Sequence, residues 1–511
     1  MKKVTILLTL FAVMCLSFRG DITPKADMAS ITLMKNEEQN NSQVMNTLFE
    51  LTDENGPRLT GSTGMKNAET WAQAKLKSWG LQNVACEPWG SFGRGWEINK
   101  SYVAMTAPYY QQLIGVPRAW TPGTGGLVQG AAVLVRIDSV EDMAKYRGHL
   151  RGLFVVLTPA KLETSPNFKP DASRVQDTDL VKMEHDTIPV PVTKPPITTP
   201  AKPVVNLRRA IDSFLYEEGA AAVVSGGRGT MGTVFTSNGA PRTWDAKPVL
   251  PEMEMGYESL ARLSRLLKAG RSVSLEMDTR TTYLMKDSME CNVVGEIPGT
   301  DLKDQYVMLG GHMDCWHAAT GATDNGTGVA VCMEAVRILK AIGVKPRRTI
   351  RILLWSGEEQ GLLGSRGYVR NHFGNRMTMD VKPAQAKVSA YYNLDNGGGK
   401  IRGIYLKNNE AVKPLFKAWL EPFADMGAGT VTVRNTGSTD HISFDEIGIP
   451  GFQFIQDGLE YGTRTHHTNM DSYDRVSADD LKQAATIMAA FVYQTAMLDE
   501  MLPRKPLPKA R

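Results

Sequence analysis

The sequence predicts an α/β protein: a mostly parallel mixed sheet flanked by helices, with a smaller β-rich domain inserted into it. Three observations carry this expectation. From Leu250 onward, short apolar runs of strand type alternate with longer runs of helical spacing. Between about Pro108 and Lys247 the pattern is different, with short β-type runs and a Pro-rich stretch. The length of 511 residues exceeds what one simple core organises, so two or three domains are expected.

Taken in order, the chain begins with Met1-Lys2-Lys3 and an apolar run that ends near Ser17, before Arg19. That run is too short for a membrane span and reads as a signal peptide over residues 1–20, giving a secreted or periplasmic protein. Cys15 as a lipid-anchor cysteine is the alternative, against which Ala12-Val13-Met14 makes a poor lipobox. Residues 21–107 form the N-terminal part of the main domain. Ile31 to Ser78 is expected to be helical, interrupted at Gly56 to Ser62, with Gly80 as its stop.

Residues 108–247 are expected to form the inserted domain. Its strands fall at Gly130–Val135, Gly152–Leu157 and Ala220–Val224, and a helix at Leu207–Glu218. Six prolines from Pro189 to Pro203 predict an extended surface loop. Residues 248–511 complete the main domain. Candidate strands are Tyr306–Leu309, Thr349–Trp355, Val388–Leu394 and Gly451–Ile455; helices fit Thr327–Ile342 and Ala478–Met501, the latter capped by Ser477.

Composition excludes some classes of function. A net charge of +4 and no basic stripe interleaved with aromatics leave no footprint for nucleic acid. Beyond the leader no apolar run is long enough to span a membrane. Cys86, Cys291, Cys315 and Cys332 form no CxxC pair, so no thiolate zinc site is signalled. An oxidising compartment permits disulfides among them in three pairings, and buried apolar thiols are the expected state.

The chemistry concentrates at strand ends. His312 follows the first candidate strand, Glu358-Glu359 the second and Asp395 the third; Asp324 precedes a helix, and His466-His467 follow the fourth strand. In an open parallel sheet ligands gather outside the carboxyl ends of the strands. Taken singly, each residue has an ordinary explanation: a turn former, a helix cap, a solvated helix start or a surface histidine. Their joint placement on one rim points instead to a metal site with an acid left over for proton transfer.

Gly310-Gly311-His312-Met313-Asp314, Gly321 to Gly326, and Glu358-Glu359-Gln360-Gly361 resemble successive motifs of metallopeptidase family 28. Asn393-Leu394-Asp395 and His467-Thr468-Asn469-Met470-Asp471-Ser472 continue that resemblance in the same order. The family includes aminopeptidases, glutamate carboxypeptidases and glutaminyl cyclases. The insert is similar in position to its protease-associated domain.

The resemblance implies a zinc-peptidase fold and two Zn2+ ions bridged by Asp324. One zinc takes His312 and Asp395, the other Glu359 and His467. Glu358 is the general base for a water bridging the two ions, and Asp314 orients His312. Asp440, His441 and Tyr461 are candidates for substrate contact or for support behind the ligands. His466 is not assigned as a ligand, and His317 is expected to support the ligands from behind or to serve the structure. The implied activity is exopeptidase, with aminopeptidase action on peptides or dipeptides first. The alternatives are a carboxypeptidase or dipeptidase, for which Lys407, Arg434 and Arg464 are candidate cationic contacts, then a glutaminyl cyclase or a non-catalytic binding protein.

Overall fold

The structure is a computed structural model that describes residues 25–159, 168–188, 206–285 and 289–510. The expected signal segment, Cys15 and the Pro-rich stretch lie outside the described residues.

The first eight-stranded sheet runs in the order Gln82–Ser91, Met289–Ile297, Arg348–Trp355, Leu302–His312, Val388–Asn393, Gly451–Gln456, Ile401–Tyr405, Thr430–Thr432. Its central four strands pair in parallel, and antiparallel strands close it on both sides. The sheet is therefore mixed, with a parallel middle whose strand ends all point to one rim. Helices cover both faces. Thr327–Ala341 and Ala478–Met497 pack on one, burying Val329, Val336, Ile487 and Phe491. On the other face Tyr391 stacks on Phe444 with ring centroids 4.2 Å apart, beside Trp355 and Tyr368.

Local signals explain the helix limits. Asp27 and Ser62 each accept a backbone N–H at a helix start, from Ser30 and Met65. Gly80, at φ +79°, leaves the helix Thr63–Ser78 in the left-handed conformation that glycine adopts at no steric cost. Ser477 caps the last helix as expected, but that helix stops at Met497 rather than Met501. The buried Arg348 guanidinium donates to the carbonyls of Leu498 and Asp499, so these residues bond to a side chain instead of extending the helix.

The second sheet also has eight strands, in the order Gln111–Gln112, Val103–Ala107, Ser274–Met277, Val128–Val135, Phe154–Leu157, Ala222–Gly226, Glu252–Met255, Gly115–Pro117. Its strands span residues 103–277, wider on both sides than the expected 108–247. Val103–Ala107 and Ser274–Met277 join it by pairing with each other and, for the latter, with Val128–Val135. Pairings so distant in sequence leave no mark on local composition. Cys86 and Cys291 form a disulfide between the first two strands of the first sheet, whereas Cys315 and Cys332 are buried thiols. The expectation of four buried thiols therefore holds for two. Among the described residues no helix is long and apolar enough to cross a membrane.

Candidate metal centre

His312 is the last residue of its strand, and two glycines set it there. A Cβ on Gly310 would lie 1.9 Å from the Leu353 carbonyl oxygen of the neighbouring strand, which only glycine avoids. The His312 Nδ1 lies 2.8 Å from the Asp314 carbonyl oxygen. A carbonyl only accepts, so Nδ1 carries the proton and Nε2 presents its lone pair to the rim. Asp314 thus holds the ring through its backbone. Its carboxylate, 3.6 Å from Nδ1, also accepts the N–H groups of Glu358 and Glu359 and the Thr60 hydroxyl. The residue expected to orient His312 thus lies against the ring and places the glutamate pair as well.

Asp324 stands in the segment Ala322–Gly326 that leads into the helix Thr327–Ala341. The Asp471 carboxylate accepts the N–H groups of Thr323 and Asp324, at 2.6 and 3.0 Å. Asn325 donates to the Leu394 carbonyl and accepts from Gly328 N–H, tying this segment to the one that carries Asp395. The fully buried Arg58 donates to the carbonyls of Met313, Thr320 and Gly321 and fastens the loop between His312 and Asp324.

His467 has a different support. Its loop pairs with the second sheet's connecting chain: Thr236 N–H donates to the His467 carbonyl at 2.8 Å, and Val234 N–H donates to the Asn469 side chain at 2.7 Å. The Phe235 ring lies 5.6 Å from the imidazole.

The side chains converge on the two oxygens of Asp324. On one side, His312 Nε2 is 3.4 Å from Asp324 Oδ1 and 3.4 Å from Asp395 Oδ1. On the other, His467 Nε2 is 3.1 Å from Asp324 Oδ2 and 2.9 Å from Glu359 Oε2. Two atoms each about 2.0–2.1 Å from one zinc in tetrahedral geometry stand about 3.3–3.4 Å apart, so the first set has zinc spacing and the second is slightly closer. Glu359 Oε1 is buried without a hydrogen-bond partner, as suits a carboxylate awaiting a cation. The donor set, imidazole nitrogen and carboxylate oxygen, is one that zinc takes. The residues fit the group.

Glu358 stands apart from both sets, its Oε2 3.9 Å from His312 Nε2. Burial raises its carboxyl well above the ordinary range. Burial also raises Glu359, to about 7, with the Asp324 charge adding to it. For His467, burial works downward, but Glu359 and Asp324 outweigh it and bring the imidazole to about 10. Protons thus serve here as the counter-charges that a divalent cation would supply.

A cavity of about 540 Å³ opens over these residues, lined also by Tyr461, His466 and Arg366. His466 stacks on His467 with ring centroids 3.9 Å apart, its Nε2 3.7 Å from Asp324 Oδ2. Asp440 and His441 do not line this cavity; Ser438 and Thr439 do. Both are fully buried behind it, His441 held neutral by burial at about 3. They stand behind the wall and not in it, because the segment turns into the helix His441–Asp445 just there. His317 donates to the Pro117 carbonyl at 2.7 Å and lies edge-on to Trp96, a structural role. Arg58, Asp471, Val234 and Asn469 escape a sequence reading. Only Asp471 carries a signal, as the acid of the segment that begins at His467.

The sequence profile of peptidase family M28 matches residues 292–492. Carboxypeptidase Q of Mus musculus is 25% identical over 459 residues, covering 89% of this chain and 86% of that protein. Two solved structures share the fold. The peptidase M28 precursor from Shewanella amazonensis SB2B has a TM-score of 0.69 at 24% identity, covering 94% of this chain and 98% of the other. The zinc aminopeptidase BSAP from Bacillus subtilis has a TM-score of 0.58 at 18% identity, covering 89% and 95%.

Proposed function

The chain belongs to peptidase family M28 through residues 292–492, and on that premise we propose that it is a zinc-dependent exopeptidase of the aminopeptidase type. The observation that carries the reading is the placement of Asp324, one carboxylate oxygen facing His312 and the other facing His467. Asp324 would bridge two zinc ions, one held by His312 and Asp395, the other by Glu359 and His467. Bound zinc supplies Lewis acidity toward the scissile carbonyl and acidifies a water molecule.

The chain's own residues supply the rest. Glu358 is the base: outside both ligand sets and 3.9 Å from His312 Nε2, its carboxylate would take a proton from the attacking water and return it to the leaving amine. The Asp314 carboxylate holds the backbone of Glu358 and Glu359 so that one serves protons and the other the metal. Tyr461 lines the cavity and would meet the substrate carbonyl there.

The acidic walls favour a substrate that brings an ammonium group, which supports action at a free N-terminus. Lys407, Arg434 and Arg464 pair with Asp445, Asp186 and Asp171, so none is a ready cradle for an acidic substrate. One feature favours a second reading: the Arg366 guanidinium, which donates to the Gly361 carbonyl, lines the cavity and brings positive charge to it, as a substrate with a terminal carboxylate would favour. Export to an oxidising compartment is part of the proposal, supported by the leader-like start of the sequence and the Cys86–Cys291 disulfide.

The test is turnover of free-amine, N-acetylated and C-amidated dipeptides, with and without chelator. Aminopeptidase action predicts that acetylation abolishes hydrolysis and amidation does not. Hydrolysis indifferent to acetylation would remove the aminopeptidase reading and leave the metal site standing. Two zincs per chain are expected; one would favour a cyclase and none a binding protein.

A further inference from the structure

A second cavity, of about 860 Å³, opens beside the second sheet and shares no lining residue with the metal cavity. Four arginines line it: Arg118, Arg208, Arg209 and Arg242. Two of them are neutralised within the wall. Arg118 is buried and donates to Asp212 and Glu252 at 3.0 Å each; Arg208 donates to the same two carboxylates. Two cations against two anions leave this cluster neutral.

Arg209 and Arg242 have no carboxylate partner among the described residues. Arg242 is the more telling. It stacks on Phe92, 4.3 Å from the ring centroid, and its Nε donates to the Phe92 carbonyl at 3.2 Å. No charged group among the described residues compensates it; burial acts on the guanidinium and lowers its pKa. A half-buried cation without an anion is costly to keep, and a ligand anion relieves the cost.

The wall around it agrees in sign. The helix Leu207–Glu218 turns its N-terminus to the cavity through Asn206, Arg208 and Arg209, adding the positive end of its dipole. The carboxyl of Glu254, the remaining acid of the wall, has no hydrogen-bond partner among the described residues; burial and the neighbouring Glu252 charge raise it to about 8. At neutral pH it is largely protonated and offers a donor.

We propose that this cavity is a binding site for a small multivalent anion, gripped by Arg242 and Arg209 through charge-assisted hydrogen bonds to its phosphate or carboxylate oxygens.

The experiment is calorimetric titration of the full chain at low salt with pyrophosphate and with citrate. The chain is first dialysed free of metal, so that neither probe acts through zinc. One anion per chain is expected to bind, more weakly as salt is raised. Arg242→Gln should weaken the binding about tenfold or more and Arg209→Gln by less, each with its unfolding midpoint within a few degrees of the parent. The tighter probe identifies phosphate or carboxylate as the recognised group. Peptidase turnover of the metal-loaded Arg242→Gln protein should equal that of the parent. The proposal is overturned if neither probe binds, or if both arginine variants bind as the parent does. In either case Arg242 serves only to clamp Phe92, and the proposed peptidase function is untouched.

Discussion

The two halves of the candidate metal centre are built on different principles. His312 and Asp395 extend from adjacent parallel strands of the first sheet, and their side chains are 1% and 8% exposed. His467 rides on a loop, 19% exposed, and is tied in place by Thr236 and Val234 of the second sheet's connecting chain. Asp324 belongs to both halves. One half is thus preorganised by strand register, and the other depends on contact between two parts of the chain far apart in sequence. The difference implies that the first half tolerates little change anywhere in the core. The second can be loosened from outside without touching a ligand.

The largest expected effect tests the division of labour between the paired glutamates, which serve both halves. Glu358→Gln should lower kcat by roughly 10²–10⁴-fold, the usual worth of a positioned general base, while metal content stays at the parental level. Elemental analysis beside the turnover assay checks both at once. Full activity with metal bound would end the assignment of Glu358. Next, His312→Ala and His467→Ala should each remove one metal equivalent and cost most of the activity. They should differ in stability: His312→Ala leaves the buried Asp395 and Asp324 carboxylates facing each other, and should lower the unfolding midpoint more. Equal destabilisation would erase the contrast between the halves.

A smaller effect probes the outer tether alone. Asn469→Ala removes the acceptor for Val234 N–H without altering any ligand. Supports of this kind are worth about 10–100-fold in metal affinity. The loss should fall on one of the two metals, with the other titrating as in the parent. Loss from both would mean that the halves act as one unit.

The same contrast explains what was legible in the sequence. His312, Glu358 and Asp395 announce themselves because each closes an apolar strand, and a parallel sheet leaves few places for such residues except its rim. Gly310 reports the close approach of the neighbouring strand. Asp324 and His467 have no such local mark, and only the order of motifs around them singles them out. Arg58 and Asn469 act through backbone groups distant in sequence, as does the Asp471 carboxylate on Thr323 and Asp324. No periodicity records such bonds. Asp440-His441 stayed open between wall and support, because nothing in the sequence records that the chain turns inward after Thr439. The limits of the second sheet were missed for a related reason, since strand pairing between Val128–Val135 and Ser274–Met277 is non-local.

The smallest effect concerns the helix Thr327–Ala341 that follows Asp324 and supports the preorganised half. Its Glu334 faces Glu38, which is 2% exposed. Burial first, and then Glu334, raise the Glu38 carboxyl to about 9, although Ser42 donates to it at 2.6 Å. Because the folded value lies above the unfolded one, the folded state keeps a proton that the unfolded chain releases between about pH 4.5 and 9. Stability from this group is therefore present below the unfolded value and lost as pH rises through that window. Glu38→Gln keeps the hydrogen-bonding shape without the titration. In metal-free protein, urea unfolding at pH 5 and pH 8 should show the variant losing less stability than the parent, by on the order of 1 kcal/mol. An identical loss in both proteins would mean that the helix beneath the rigid half carries no charge defect at Glu38.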